Sequence, residues 1–280
     1  MAEDTITVTP LSGKLGCEIS APALNHLSDR QFETIYQAFL AHQVIVIRDQ
    51  DLSPDQLLTA ATRFGPLADY PFAKGMAGHP QITEIIKEPE QTSNFGGMWH
   101  SDTTYLPEPP KCTLLYAVQT PPRGGDTLFA DMYGAFESLS EGLQASLRGL
   151  TGVNTSNLNA ATLRGDHLKT GSMTANAGQS GHLQAHHPVV RTHPETGRPA
   201  LFVNPAHTAL FDGMGREESK PLLDYLFAQC VKPELTSRVS WAPGTLVVWD
   251  NRCSQHCAIN DYDGHRRVMR RITIAGDRPV

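Results

Sequence analysis

Nowhere in the 280 residues does an uninterrupted apolar run approach the roughly 20 residues needed to cross a membrane. The opening residues, Met1-Ala2-Glu3-Asp4-Thr5, are acidic and form no basic-then-apolar leader, so no signal peptide is expected. Basic residues are in the minority, 23 against 29 acidic ones, and the formal net charge is −6. That balance argues against a nucleic-acid partner, which would favour a basic face. Cysteine is sparse and odd in number: Cys17, Cys112, Cys230, Cys253 and Cys257. Only the last two are close, in a C-x3-C spacing around His256, and a zinc knuckle would need two more soft ligands nearby. Free thiols in a reducing cytoplasm are the simpler reading, and a cytoplasmic location is expected. Internal repeats and low-complexity tracts are absent.

An apolar content of 40% with 19% charged residues fits a globular chain with a real core, read as one domain over 1–280. Residues 5–8 alternate as a strand. Ser28-Asp29-Arg30-Gln31 is a capping box opening a helix with Phe32, Ile35, Tyr36 and Phe39 at helical spacing. Val44-Ile45-Val46-Ile47 reads as a buried strand. Ser53-Pro54-Asp55-Gln56 opens a second helix that ends near Phe64-Gly65. Further strands are expected at 81–86 and 112–118, then a helix over 132–150 broken at Ser140. Residues 154–185 are polar and aperiodic, as in a lid or binding loop. Strands follow at 187–191, 200–203, 238–241, 245–249 and 267–275, interrupted by a helix over 217–230. Many short strands with a few helices suggest a β-sandwich or barrel carrying helical insertions.

The chemistry concentrates in Trp99-His100-Ser101-Asp102 and, far down the chain, Trp249-Asp250-Asn251-Arg252-Cys253-Ser254-Gln255-His256. On an extended segment, residues i and i+2 face one side, so His100 and Asp102 can reach one ion. An isolated His-x-Asp is commonly a surface pair bonded to itself. With His256 it becomes two histidines and a carboxylate, the ligand set of non-haem Fe(II) oxygenases. Arg267 and Arg271 lie four apart on an expected strand, hence on one face, with Arg266 and Arg270 on the other. Arginine suits bidentate recognition of carboxylate or sulfonate. Gly124-Gly125-Asp126-Thr127 permits a tight turn before a strand and places the Thr127 hydroxyl. The turn Asp261-Tyr262-Asp263-Gly264 lets the arginine strand fold back near His256. Among the remaining histidines, His26, His42, His79, His182 and His265 read as surface residues, whereas His186, His187 and His207 could line a pocket.

These blocks, together with Gly124-Gly125-Asp126-Thr127-Leu128, the run His187 to Gly197, and Leu201-Phe202-Val203-Asn204, make a resemblance specific. From Gly13 to Asp277 the chain resembles Fe(II)/2-oxoglutarate-dependent dioxygenases of the taurine dioxygenase and 2,4-dichlorophenoxyacetate dioxygenase family. The resemblance implies a mainly β fold with helical insertions around a double-stranded β-helix (jelly-roll) core. It implies His100, Asp102 and His256 as catalytic iron ligands. It further implies Arg267 with Thr127 for the distal carboxylate of 2-oxoglutarate, and Arg271 for the anionic group of the prime substrate. The implied reaction consumes O2, decarboxylates 2-oxoglutarate to succinate and CO2, and hydroxylates a substrate C–H. Related halogenases lack the carboxylate, so Asp102 favours hydroxylation.

The match departs from the taurine enzyme's own pattern. Tyr70 stands where its sulfonate-binding histidine falls, Ala73 where it has a tyrosine, and Gly96 where it has a pocket asparagine. A different or roomier pocket is expected, for a small anion such as a sulfonate, a sulfate ester or an aryloxy or alkyl carboxylate, with Tyr70 and Phe202 as apolar wall. A homo-oligomer, dimer or tetramer, is expected. Two rivals stand beside this reading. A zinc hydrolase would need a general base beside the metal, and no HExxH occurs. A non-catalytic jelly-roll metal- or ligand-binding protein should have lost a ligand or Arg267.

Overall fold

The computed structural model describes residues 6–158, 173 and 182–280. In chain order the strands are β1 (Thr7–Pro10), β2 (Cys17–Ser20), β3 (Val44–Ile47), β4 (Leu67–Ala68), β5 (Thr83–Lys87), β6 (Cys112–Gln119), β7 (Thr127–Asp131) and β8 (Thr151–Thr155). They continue with β9 (Gln184–Pro188), β10 (Val190–Thr192), β11 (Pro199–Leu201), β12 (Thr208–Phe211), β13 (Thr236–Val239), β14 (Leu246–Asp250), β15 (Ser254–Ala258) and β16 (Arg267–Ile274). Among the described residues, five α-helices accompany them: α1 (Asp29–His42), α2 (Pro54–Thr62), α3 (Met132–Glu137), α4 (Glu141–Leu147) and α5 (Arg216–Cys230). The fold is mainly β with helices, as the sequence pattern implies.

The first two helices start where their caps dictate. Ser28 and Ser53 each accept a hydrogen bond from the backbone N–H three residues on, and Gln31 and Gln56 reach back to complete the boxes. Both helices lie on one face of an eight-stranded sheet in the order β1-β2-β3-β14-β6-β16-β4, with β5 also paired to β16. Ile35, Phe39, Leu57 and Ala61 bury there against Ile45, Ile47, Leu114, Val248, Ile272 and Ile274. Strand periodicity sends the alternate residues Val44, Val46, Leu115, Ala117, Val247, Trp249 and Met269 to the opposite face. These meet Phe129, Val239 and Trp241 of a three-stranded sheet ordered β13-β7-β15. The functional side chains project into the space between these two sheets. A third cluster packs α3 and α5 against β11, with Tyr133, Phe136, Leu201, Phe211, Leu223 and Leu226 buried.

Several boundaries differ from the sequence reading. Ser140 does break the expected helix, because its side chain caps α4. The strand expected over 187–191 is two strands, β9 and β10, divided at Val189, whose N–H bonds to Leu150 instead. Residues 154–155 and 184–185, assigned to the polar loop, are the ends of paired strands β8 and β9. Most of that loop falls outside the described residues. Met173 is described, and it is buried with Tyr70, Phe72, Ala73 and Tyr105. No helix among the described residues is long and apolar enough to cross a membrane.

Candidate metal and anion centre

β15 brings His256 to the site, and the loop between β5 and β6 brings the other two ligands. The two segments are tied by an antiparallel bridge: His100 N–H donates to His256 O (3.0 Å) and His256 N–H to His100 O (2.8 Å). Ser101 Oγ adds a bond to Ser254 O (2.8 Å). Directly after Asp102 the backbone turns through Thr103 at φ 43°, a left-handed conformation that a β-branched residue rarely takes. The turn leaves both His100 and Asp102 facing inward.

One carboxylate oxygen is the focus of the arrangement. Asp102 Oδ1 lies 3.7 Å from His100 Nε2 and 3.9 Å from His256 Nε2. The donor atoms of the three residues all fall within 4.8 Å of one another. The other oxygen, Oδ2, accepts from Thr113 Oγ1 (2.6 Å), and Thr113 in turn accepts from Asn251 Nδ2 (3.0 Å). Asn251 Oδ1 receives Trp249 Nε1 (3.0 Å) and the Asp102 N–H (3.3 Å). His100 Nδ1 donates to Met98 O at 2.6 Å, which fixes the tautomer and leaves Nε2 with a lone pair. The His256 ring is held by packing on Trp249, with centroids 4.6 Å apart.

Charge states follow from the surroundings. Burial lowers the pKa of both imidazoles, His256 most, so both are neutral at neutral pH and could serve as ligands. Burial alone would raise Asp102. The Arg271 guanidinium, the imidazoles and the Thr113 hydroxyl outweigh it and hold the carboxyl well below its usual range. Two neutral imidazoles and one ionised carboxylate sharing one cleft suit a divalent cation. Replacing Thr113 by Val should leave the ligands in place but free Oδ2 of its partner. Metal affinity is expected to fall about tenfold, as other ligand-orienting contacts do. A titration showing unchanged affinity would remove Thr113 from the site.

The arginines occupy the same face, as their spacing predicts. Arg267 and Arg271 are buried, while Arg266 meets Glu88 and Arg270 meets Glu84 on the other face. Both inner arginines line a cavity of about 40 Å³ with the three ligands, Thr127, Leu115 and Trp249. Arg267 Nε and Nη2 have no hydrogen-bond partner among the described residues, and the guanidinium lies 5.5 Å from the Trp241 ring. Burial lowers its pKa, the neighbouring Tyr262 hydroxyl opposes that, and guanidinium remains charged. Thr127 Oγ1 accepts from Trp241 Nε1 (3.0 Å) and so keeps its own proton to donate. The Gly124-Gly125 turn supports this end. Both residues have positive φ, a Cβ on Gly124 would come within 2.5 Å of Asp261 Oδ1, and one on Gly125 would come within 3.2 Å of the Tyr262 ring.

Arg271 borders a second cavity, of about 210 Å³, shared with Tyr70, Thr103, Leu106 and Glu108. Its guanidinium stands 5.0 Å from the Tyr70 ring, so the structure brings these two expected residues together. Phe202 is placed differently. It packs against His187 (5.7 Å) and under Arg191 (5.0 Å), and His187 in turn bonds Leu106 O. It is not among the described residues that line the 210 Å³ cavity. The apolar wall nearer Tyr70 is made by Phe72, Phe95, Tyr105 and Leu106, around Ala73.

Of the other histidines, His26, His182, His186 and His265 are exposed, and His42 and His79 half-buried. His207 is buried near the site, its ring 4.9 Å from Tyr105 and 6.2 Å from His100. Sequence reasoning missed the network beneath it. Asn204 Nδ2 donates to Thr104 Oγ1 (3.2 Å), and Asn154 Oδ1 accepts from Thr104 (3.3 Å) and Thr208 (2.8 Å). These bonds fasten the ligand loop to β8 and β12. A polar residue ending the apolar run Leu201-Phe202-Val203 was the available signal. The cluster His193, Asp250 and Cys253 also has metal-ligand composition. It is already satisfied: Asp250 takes Arg252 Nε and Nη2 (2.8 and 2.7 Å) and His193 Nε2 (3.0 Å), while His193 Nδ1 accepts two backbone N–H groups. All five thiols are free.

The chain is similar to several known proteins. The family description "taurine catabolism dioxygenase TauD, TfdA family" matches residues 7–273. An alkylsulfatase of Acinetobacter baylyi is 32% identical over 276 residues, covering 95% of this chain and 84% of that protein. The alpha-ketoglutarate-dependent 2,4-dichlorophenoxyacetate dioxygenase of Cupriavidus pinatubonensis is 33% identical over 253 residues, covering 85% and 86%. A crystal structure of a taurine dioxygenase from Burkholderia xenovorans superposes with a TM-score of 0.83 at 31% identity, covering 98% of this chain and 92% of that one.

Proposed function

The chain belongs to the taurine catabolism dioxygenase TauD, TfdA family and is a 2-oxoglutarate-dependent dioxygenase, and on that premise we propose that it hydroxylates a small organic anion at the cleft holding His100, Asp102 and His256. The observation that carries the reading is the meeting of Asp102 Oδ1 with both imidazole Nε2 atoms beside a buried arginine that has unspent donors. Fe(II) fits that donor set, and when bound it supplies the activation of O2 that decarboxylates 2-oxoglutarate and oxidises the substrate C–H.

The protein's own residues divide the remaining work. Arg267 and Thr127 hold the distal carboxylate of 2-oxoglutarate, which would satisfy the guanidinium's free Nε and Nη2. Arg271 and Tyr70 receive the anionic group of the prime substrate. Leu115, Ile85, Phe95 and Trp249 line the cleft with apolar surface and exclude water from the reacting groups. Thr113 and Asn251 orient Asp102, and Met98 orients His100. Two sheets facing each other across the shared core support reading the fold as a jelly roll. The non-catalytic alternative loses ground because no ligand and neither arginine is missing.

The relatives act, by name, on an alkyl sulfate, a 2,4-dichlorophenoxyacetate and taurine. What unites these is an anionic group on a small organic body, and Arg271 is its natural partner here. Incubation with Fe(II), 2-oxoglutarate and a panel of alkyl sulfates, sulfonates and aryloxyalkanoates tests the proposal. Succinate above background is expected with at least one anionic class and not with its neutral alcohol or phenol. Equal stimulation by neutral analogues, or no succinate from any member, would contradict it.

A further inference from the structure

Asp102 Oδ1 is a shared neighbour. The two imidazole Nε2 atoms lie 3.7 and 3.9 Å from it, and Arg271 Nη2 lies at 3.0 Å. The second oxygen is committed to Thr113, so Arg271 rests on the very oxygen that faces the imidazoles. The contact is an ion pair without an aligned hydrogen bond: neither Nε nor Nη2 of Arg271 has a hydrogen-bond partner among the described residues. No described residue gives those donors a hydrogen bond, and the side chain borders the 210 Å³ cavity as well as the metal cleft. A guanidinium and a divalent cation on one carboxylate oxygen repel each other, and each weakens the donation available to the other.

We propose that Arg271 couples the substrate-anion site to the metal site: it occupies the ligand oxygen of Asp102 when no anion is bound, and an anion that draws it away strengthens metal binding. This rests on the function proposed above, to which it adds an order of events. Arg271 is then a positioning residue for the metal as well as a substrate contact. Because coupling between two sites is reciprocal, metal must raise the affinity for the anion by the same factor. Couplings of this kind lie in the range of about 5- to 150-fold, and about tenfold is expected here.

The test uses Mn(II) as the metal probe, read as free Mn(II) by EPR, on the metal-free protein at constant ionic strength without 2-oxoglutarate. Arg271→Gln should bind Mn(II) about tenfold more tightly than the parent, a sign that damage to the fold would not produce. Methanesulfonate should tighten binding to the parent by a similar factor, whereas neutral dimethyl sulfone should not. Arg271→Gln should be indifferent to both. Arg267→Gln removes the same charge from the same strand but not from Asp102, and it should keep the methanesulfonate response. Equal or weaker Mn(II) binding by Arg271→Gln, or an anion response that survives in it, would overturn the coupling while leaving the metal site intact. If His256→Ala binds Mn(II) as the parent does, the metal site itself is misassigned and both proposals fall.

Discussion

A His256→Ala protein is expected to carry no Fe(II) at stoichiometric metal and to form no succinate from 2-oxoglutarate. The effect is large because the site offers three protein donors among the described residues, and two of them cannot hold a labile divalent ion against water. His256 is also the one ligand delivered by a strand of the inner sheet, so no neighbour can take its place. Cys257, the adjacent residue, alternates to the other side of β15, and the nearby His193 and Asp250 are bonded to each other. The fold should survive the change. The backbone bridge between His100 and His256 does not depend on the side chain, and Trp249 and Phe129 keep their packing on each other. Circular dichroism matching the parent, together with an iron content near zero, is the predicted pair of results. Iron content equal to the parent's would refute the assignment.

Arg267→Ala should separate the cosubstrate from the metal. The side chain is buried, and its Nε and Nη2 donors meet nothing in the described residues. Truncating one partner of a buried charge pair typically costs about 2–5 kcal/mol, so the 2-oxoglutarate requirement should rise by roughly 30-fold or more. Fe(II) binding should be spared, since Arg267 makes no ion pair with Asp102. The stability of the metal-free protein is a second readout with an unusual sign. Removing a buried cation that has no ion-pair partner among the described residues relieves a desolvation penalty, so the melting temperature should hold or rise. An unaltered 2-oxoglutarate requirement would place the anion partner elsewhere.

Much of the scaffold was legible in the chain. Ser28 and Ser53 announce α1 and α2 because capping is local, and the β-branched run 44–47 announces β3 because burial on both faces suppresses alternation. β15 was not legible: Ser-Gln-His-Cys-Ala is polar and yet largely buried, since His256 faces the site while Ser254 and Gln255 donate to buried backbone carbonyls. The division of β9 from β10 follows from where the Val189 N–H finds its partner, a tertiary fact with no local mark.

The site divides in the same way. His100, Asp102, His256, Thr127, Arg267 and Arg271 could be placed through motif and resemblance, and the structure gathers them in one cleft. Tyr70 is beside Arg271 as expected, but Phe202 packs against His187. Thr113, Asn251, Asn154 and Thr104 escaped notice because each acts through a partner distant in sequence. A threonine within the β6 run 112–118 reads as a strand residue until Asp102 is seen to face it.

The proposed site holds one metal and one 2-oxoglutarate in the cleft between Asp102 and Arg267. Anaerobic titration of the Fe(II)-loaded protein with 2-oxoglutarate measures this most directly. A visible metal-to-ligand absorption band should grow and saturate near one equivalent, should need far more 2-oxoglutarate in Arg267→Ala, and should be absent from His256→Ala. No band in the parent, or the same band in all three proteins, would contradict the account.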